Sequence, residues 1–139
     1  MHLILDGYGS DPQLLQDEGF IYGLLDRFPD QIGMKKVTPP FVFRYVGAKP
    51  EDWGLSAFVL IAESHITIHT FVDKRLLNID IFSCKEFDAV AVARQFREKF
   101  KLTQVRSYLL RRGLEYPDFG QPLEIEPALP HRGRGHGMP

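Results

Sequence analysis

Two neighbouring apolar runs, and the polar cluster between them, dominate the hydrophobic pattern of this chain. Residues 55–61 (LSAFVLI) form a nearly continuous apolar run, which is typical of a buried strand. Residues 66–71 (ITIHTF) alternate apolar and polar side chains, as a half-buried strand does. Glu63, Ser64 and His65 lie between the runs, where a plain turn would carry Gly, Asn or Pro. Polar groups at such a junction are costly unless they are satisfied, so the cluster is a candidate chemical site.

Two stretches have helical periodicity. The first follows Asp11-Pro12, which reads as an N-cap with proline at the first helical position, and continues to about Phe28. The sequence Phe28-Pro29-Asp30 predicts its end. The second stretch covers residues 87–100, with Asp88 near its start and Lys99 at its end, as the helix dipole favours.

Further strands are predicted over residues 2–5, 41–46, 76–83 and 102–110, and turns or loops over residues 6–10, 49–54 and 74–75. The order of strand, helix, several strands, helix and strand indicates an α+β fold. We expect a two-layer α/β sandwich, with a mostly antiparallel sheet and two helices on one face. We expect one domain, residues 1–112, followed by a Gly/Pro-rich tail, residues 113–139, whose end from residue 131 is disordered.

Composition narrows the function classes. The formal net charge of −1, with no basic stripe outside the tail, argues against nucleic acid and against an anionic membrane surface as the main partner. No apolar stretch reaches the roughly 20 residues of a membrane span, and no signal peptide is visible. The single cysteine excludes an internal disulfide and predicts a cytoplasmic protein. Phe-rich strands on the uncovered face of the sheet predict burial against a second subunit, hence a homodimer.

The polar cluster also carries a family resemblance. The stretch E-S-H-I-T-I-H-T at residues 63–70, followed by D-I-F-S-C at residues 80–84, resembles the bacterial and archaeal S-adenosylmethionine decarboxylase family. The similarity extends from about His2 to Gly113. The resemblance implies that the precursor cleaves itself between Glu63 and Ser64, giving chains 1–63 and 64–139. Residue 64 would then become a covalent pyruvoyl cofactor at the new N-terminus.

The chemistry agrees with the resemblance. A serine hydroxyl that attacks its own preceding carbonyl needs a strained backbone and a proton carrier. The resulting ester eliminates and hydrolyses to a ketone, which forms a Schiff base with a substrate amine and withdraws electrons as CO₂ leaves. The resemblance assigns reprotonation of the α-carbon to Cys84, and assigns precursor processing to Ser56 and His69. It implies decarboxylation of S-adenosylmethionine, which supplies aminopropyl groups for spermidine synthesis.

The substrate side of the motif departs from the family pattern. The family usually has W-P-E after H-T, with its glutamate on the ribose hydroxyls, whereas this chain has Phe71-Val72-Asp73. Pro50 occupies the place of the aromatic residue that stacks on adenine, and Trp53 could supply that stacking instead. Asp73 and Trp53 are therefore the candidate substrate-binding residues.

Three alternatives stay open at this stage. A pyruvoyl-dependent arginine or ornithine decarboxylase could use Glu51, Asp52 or Asp73 to bind a distal cation of its substrate. An uncleaved homologue could act as a non-enzymatic regulatory subunit. A zinc site built from His65, His69 and Cys84 is weakly indicated, because H-x-x-x-H in a strand lacks a firm third or fourth ligand, so we expect no metal.

Overall fold

The strands form one seven-stranded sheet. The computed structural model describes residues 1–113 and 122–125. Within these ranges the strands are β1 (His2–Tyr8), β2 (Phe41–Val46), β3 (Trp53–Ile61), β4 (Ser64–Phe71), β5 (Leu76–Ser83), β6 (Gln104–Leu110) and β7 (Leu123–Ile125). Their order across the sheet is β2-β3-β4-β5-β1-β6-β7, and every neighbouring pair is antiparallel. The predicted α+β sandwich with a mostly antiparallel sheet is confirmed.

In the part of the chain that the structure describes, three helices connect the strands: α1 (Pro12–Leu15), α2 (Glu18–Gln31) and α3 (Ala89–Lys99). The prediction of one helix ending near Phe28 is wrong. Asp11 and Asp17 each cap a separate helix, because their carboxylates accept the N–H groups of Gln13 and Phe20 at 2.9 Å. The helix also continues through Pro29 to Gln31, although proline disfavours the helix interior.

Several strand boundaries differ from the predicted ones. β1 extends to Tyr8 through residues predicted as a turn, because Gly7 lets Leu102 pack directly on the backbone. A Cβ at Gly7 would lie 2.6 Å from Leu102 Cδ1. Trp53, which was predicted in a loop, is the first residue of β3. β4 begins at Ser64, two residues before the predicted alternating run.

The apolar core lies between one face of the sheet and the helices. Alternate strand residues such as Leu5, Val59 and Ile79 are fully buried there, together with Leu25 of α2 and Phe96 of α3. The other face, called the open face below, carries the intervening positions and is not covered by any helix of residues 1–113. Those positions in β3, β4 and β5 include Ser56, Phe58, His65, Thr67, His69, Asp80 and Phe82.

The C-terminal region contributes a short edge strand. β7 pairs with β6, and the Ser107 hydroxyl donates to the Ile125 carbonyl at 2.6 Å. Three residues of the expected tail thus belong to the sheet, while the expectation of disorder from residue 131 onward lies outside the described residues. In the described part of the chain, no helix has the length and apolar character needed to cross a membrane.

Candidate active site

The predicted cleavage site is a strained hairpin. Ala62 and Glu63 form a two-residue turn between β3 and β4, and Ile61 pairs with Ser64 across it. Ser64 has a φ of 152°, a backbone conformation that favours glycine and that costs a non-glycine residue on the order of 1–3 kcal/mol. The backbone strain that serinolysis requires is therefore located at the serine predicted to react.

The carbonyl next to Ser64 is polarised by the backbone of Cys84. The Glu63 oxygen accepts a hydrogen bond from the Cys84 N–H at 2.9 Å. This contact follows from the register, because Ser64 pairs with Ser83, the last residue of β5. An N–H aimed at a carbonyl oxygen stabilises the negative charge that develops when a nucleophile attacks the carbon. The thiol of Cys84 is free and its residue is exposed, so it is available for proton transfer.

Ser56 and His69 lie together on the open face. They are register partners of β3 and β4, and the Ser56 hydroxyl lies 3.1 Å from His69 Nδ1. The structure therefore joins two residues that the motif assigned to one task. His69 is nevertheless five residues along β4 from Ser64, which corresponds to about 16 Å at roughly 3.3 Å per residue. An imidazole of the same chain does not span that distance.

Asp73 and Trp53 contact each other at the opposite end of the hairpin from Ser64. The Trp53 indole N–H donates to Asp73 Oδ1 at 3.0 Å, and the Arg44 guanidinium lies 4.8 Å from the centre of the indole ring. Trp53 also packs against the apolar core. One ring face is thus occupied by Arg44, and adenine stacking by Trp53 stays a prediction that needs the other face.

The middle of the open face carries a group of ionisable residues. The sequence did not predict this group, because strand alternation was its only local indication. The His2 ring nitrogen Nε2 lies 2.9 Å from the Asp80 carboxylate. Burial raises the pKa of Asp6, and the Asp80 carboxylate raises it further, while Arg106 opposes both. The proximity of these residues follows from the register between β1 and β5, which the sequence does not indicate locally.

The neighbouring imidazole of His65 has a lowered pKa. Burial lowers this pKa from the ordinary value of 6.5, and positive charge at His2 lowers it further, although the Asp80 carboxylate opposes the shift. Its ring lies 5.7 Å from that of Phe82, in a tilted arrangement on the open face. Within residues 1–113 and 122–125, no three His, Cys, Asp or Glu side chains gather in a way that could hold a metal ion.

Comparison with known proteins decides the family. The family model described as S-adenosylmethionine decarboxylase matches residues 1–113. This chain belongs to the S-adenosylmethionine decarboxylase family. The family consists of pyruvoyl-dependent carboxy-lyases, so the predicted enzyme class and covalent cofactor are confirmed at the level of the family.

Relatives of the S-adenosylmethionine decarboxylase family match over almost the same region. The S-adenosylmethionine decarboxylase proenzyme of Archaeoglobus fulgidus is 35% identical over 113 residues, which cover 81% of this chain and 96% of that protein. The proenzyme of the same name from Pyrococcus furiosus is 28% identical over 118 residues, covering 84% and 81%. The crystal structure of adenosylmethionine decarboxylase from Aquifex aeolicus superposes with a TM-score of 0.68 at 21% identity, covering 86% of this chain and 95% of that one, which shows the fold.

Proposed function

We propose that this chain is an S-adenosylmethionine decarboxylase that makes its own pyruvoyl cofactor by cleaving the peptide bond between Glu63 and Ser64. The observation that carries the proposal is the geometry at that bond. Ser64 is strained at a φ of 152°, and the Glu63 carbonyl accepts the Cys84 N–H at 2.9 Å. Strain at the nucleophile together with a donor on the attacked carbonyl favours acyl transfer over an inert turn.

The cleavage consumes one water and releases one ammonia. The Ser64 hydroxyl oxygen attacks the Glu63 carbonyl carbon, and the C–N bond breaks to leave an ester and a free amine at residue 64. Loss of the α-proton then expels the Glu63 carboxylate and leaves a dehydroalanine residue. Tautomerisation to the imine and hydrolysis release ammonia and leave the keto group at residue 64. The first product ends at Glu63 and the second begins at residue 64.

The surroundings of residue 64 fit that keto group. Once present, it would supply an electrophile for the substrate α-amine and an electron sink for the decarboxylation. Cys84 follows the strand residue that pairs with residue 64, and its N–H contacts the Glu63 carbonyl, which supports its exposed thiol as the donor of the proton to the α-carbon. A thiol with this role must stay reduced, which supports a cytoplasmic location.

We infer that the active site is shared between two copies of the chain. His69 is about 16 Å along β4 from Ser64, yet processing needs a proton carrier at the attacked bond. In an isologous dimer, residue i of one copy contacts residue j of the other, and the reverse contact follows by symmetry. If the open faces pack together, His69 and Ser56 of each copy can serve Ser64 of the other. The proposed homodimer would then be needed for cleavage as well as for burial of the open face.

Complementation between two inactive variants tests the shared site. Ser64→Ala and His69→Ala are each expected to stay uncleaved when expressed alone. Co-expressed with distinguishable tags, they form mixed dimers in which one Ser64 faces one intact His69. We expect cleavage of the His69→Ala chain alone, seen on a denaturing gel. No cleavage in the verified mixed dimer would contradict a shared site and assign processing to a single chain.

The reaction itself is tested in two measurements. Intact-mass analysis of the purified wild type is expected to show two fragments with a keto group at residue 64, and a chain that stays whole on long incubation would favour the uncleaved regulatory homologue. Release of ¹⁴CO₂ from S-adenosylmethionine, arginine and ornithine then identifies the substrate. We expect turnover of S-adenosylmethionine. Turnover of arginine or ornithine alone would reassign Asp73 to binding a distal cation.

A further inference from the structure

The turn at the cleavage site lacks the backbone angles that are usual in a tight hairpin. The two-residue turns that match the twist of antiparallel strands, types I′ and II′, have a positive φ at one or both of their central residues. Ala62 and Glu63 are not among the residues with a positive φ, and the positive φ falls instead on Ser64, just past the turn. A hairpin of this kind needs contacts from elsewhere in the chain to keep it from relaxing.

Residues 35–38, called the clamp segment below, supply those contacts along one side of the hairpin. The Ala62 N–H donates to the Lys35 carbonyl at 2.8 Å, and the Val37 N–H donates to the Leu60 carbonyl at 2.9 Å. The Leu60 N–H donates to the Thr38 hydroxyl at 3.3 Å. The clamp segment thereby fixes the end of β3 up to the residue before Glu63.

The clamp segment is itself tied to the helical layer. The Lys36 ammonium pairs with the Asp26 carboxylate of α2, which raises the pKa of Lys36. The Lys85 ammonium, just past Cys84, donates to the Gly33 carbonyl at 2.9 Å. Both ends of the connection from α2 to the hairpin are therefore bound to other elements, and the clamp segment can act as a fixed support.

Glu63 is held at two points by two different elements. Its side-chain oxygen Oε2 accepts the Lys35 N–H at 3.2 Å from the clamp segment, and its main-chain carbonyl accepts the Cys84 N–H at 2.9 Å from the end of β5. Two fixed points on one residue restrict rotation of the peptide plane between residues 63 and 64. In this arrangement the carboxylate acts as a hydrogen-bond acceptor.

We infer that Glu63 is a positioning residue for the self-cleavage: its carboxylate, anchored on the Lys35 N–H, keeps the reacting peptide bond in its strained orientation. The inference rests on the proposed cleavage and adds a role for a side chain that the chemistry of the bond does not require. Without the anchor, the turn relaxes and Ser64 attacks more slowly, although every reacting atom is still present.

The rate of self-cleavage in a series of Glu63 variants tests this role. Glu63→Gln keeps an oxygen acceptor and is expected to cleave within about threefold of the wild-type rate. Glu63→Ala loses the acceptor and is expected to cleave about tenfold more slowly, as loss of one hydrogen bond to a charged group predicts. Lys35→Pro removes the donor and is expected to resemble Glu63→Ala, and the double variant should be no slower than either single one. Glu98→Ala, which removes an exposed carboxylate from α3, is the control.

The readouts separate positioning from folding and from the proposed function. Thermal midpoints measured in a Ser64→Ala background should lie well above the assay temperature both for Glu63 and for its Ala variant, so that slower cleavage is not loss of the fold. Wild-type cleavage with an equally fast Glu63→Ala variant would overturn the inference. A Gln variant as slow as the Ala variant would also overturn it, because charge rather than acceptance would then matter. Failure of the wild type to cleave would instead refute the proposed function.

Discussion

At the scale of single residues, Cys84 contributes two different groups to the site. Its main-chain N–H lies on the Glu63 carbonyl before cleavage, and its side-chain thiol is free for the later proton transfer. Any substitution except proline keeps the first group, whereas the second depends on the thiol. The two stages of the reaction can therefore be separated at this one position.

We expect Cys84→Ser and Cys84→Ala to cleave at close to the wild-type rate but to lose roughly 10²-fold or more in turnover per cleaved chain, the range typical of a general acid. Cleavage is followed on a denaturing gel, and turnover by CO₂ release normalised to the cleaved fraction. Unchanged turnover in both variants would remove the thiol from the mechanism.

The lowered pKa of His65 predicts how its contribution to folding stability changes with pH. Its pKa is lower in the folded chain than the ordinary value of 6.5, so the unfolded chain binds the proton more readily. The contribution of neutral His65 is present above pH 6.5 and is lost as the pH falls through the lowered folded value. Asp6 has the opposite sign, and its raised pKa starts from an ordinary value of 3.8.

In a Ser64→Ala background, which keeps the chain whole, we expect the thermal midpoint to decrease as the pH is lowered from 7.5 to 5.5. His65→Gln should reduce that fall, because the variant has no imidazole to protonate. Differential scanning calorimetry of both proteins across the range measures the difference. Parallel curves would show that His65 has no part in the acid sensitivity.

At the scale of elements, Gly54 lets β3 approach β4 at the end distant from the cleavage site. A Cβ at Gly54 would lie 1.7 Å from the Thr70 carbonyl oxygen, a backbone atom that cannot turn aside. At the same place the Thr70 hydroxyl accepts the Leu55 N–H at 2.9 Å and donates to the Leu15 carbonyl at 2.7 Å. Thr70 thus connects β3, β4 and the end of α1 at the position where Gly54 allows the two strands to approach closely.

We expect Gly54→Ala to destabilise the chain by more than about 3 kcal/mol, or to prevent soluble expression, because the sheet must open locally to admit the methyl group. Gly19→Ala in α2 is the matched control, since its Cβ would meet only Asp17 Oδ1 at 3.5 Å. Urea unfolding of both variants measures the difference. Equal stability of the two would show that the strands separate at little cost.

The elements were predictable where periodicity is local, and were mispredicted where distant residues decide. The alternating run that begins at Ile66 and the helix that starts near Asp88 are visible in short windows of sequence and are confirmed. Trp53 was predicted in a loop because the groups that it contacts, the Asp73 carboxylate and the apolar core, lie elsewhere in the chain. The motif picked out Glu63, but its contact with Lys35, 28 residues away, has no local signal.

At the scale of the whole molecule, the proposed dimer makes a prediction about the centre of the open face. If Ser64 and His69 of two copies exchange partners, the two-fold axis passes near the midpoint of these positions on β4, where Thr67 lies. A residue on the axis meets its own copy, so a charge placed there is doubled at one point. Dimer formation is therefore most sensitive to a charge added at the middle of the open face.

Thr67→Arg is expected to yield monomers that do not cleave, because two arginines would meet at the axis. Gln16→Arg adds the same charge at an exposed position beside α1, and we expect it to remain dimeric. Sedimentation velocity gives the oligomeric state, and a denaturing gel gives the cleavage. A Thr67→Arg protein that is dimeric and cleaved would place the interface elsewhere.

The order of strands in the sheet has a consequence for the mature protein. The segment ending at residue 63 contributes β1, β2 and β3, whereas β4 to β7 follow the cut, and β1 lies between β5 and β6. The two polypeptides are therefore interwoven, and no fragment can leave without tearing open the middle of the sheet. Once unfolded, however, they must meet again by diffusion, so recovery depends on concentration. Maturation would thus turn a protein that refolds as one chain into one whose lifetime is set by how slowly it first comes apart.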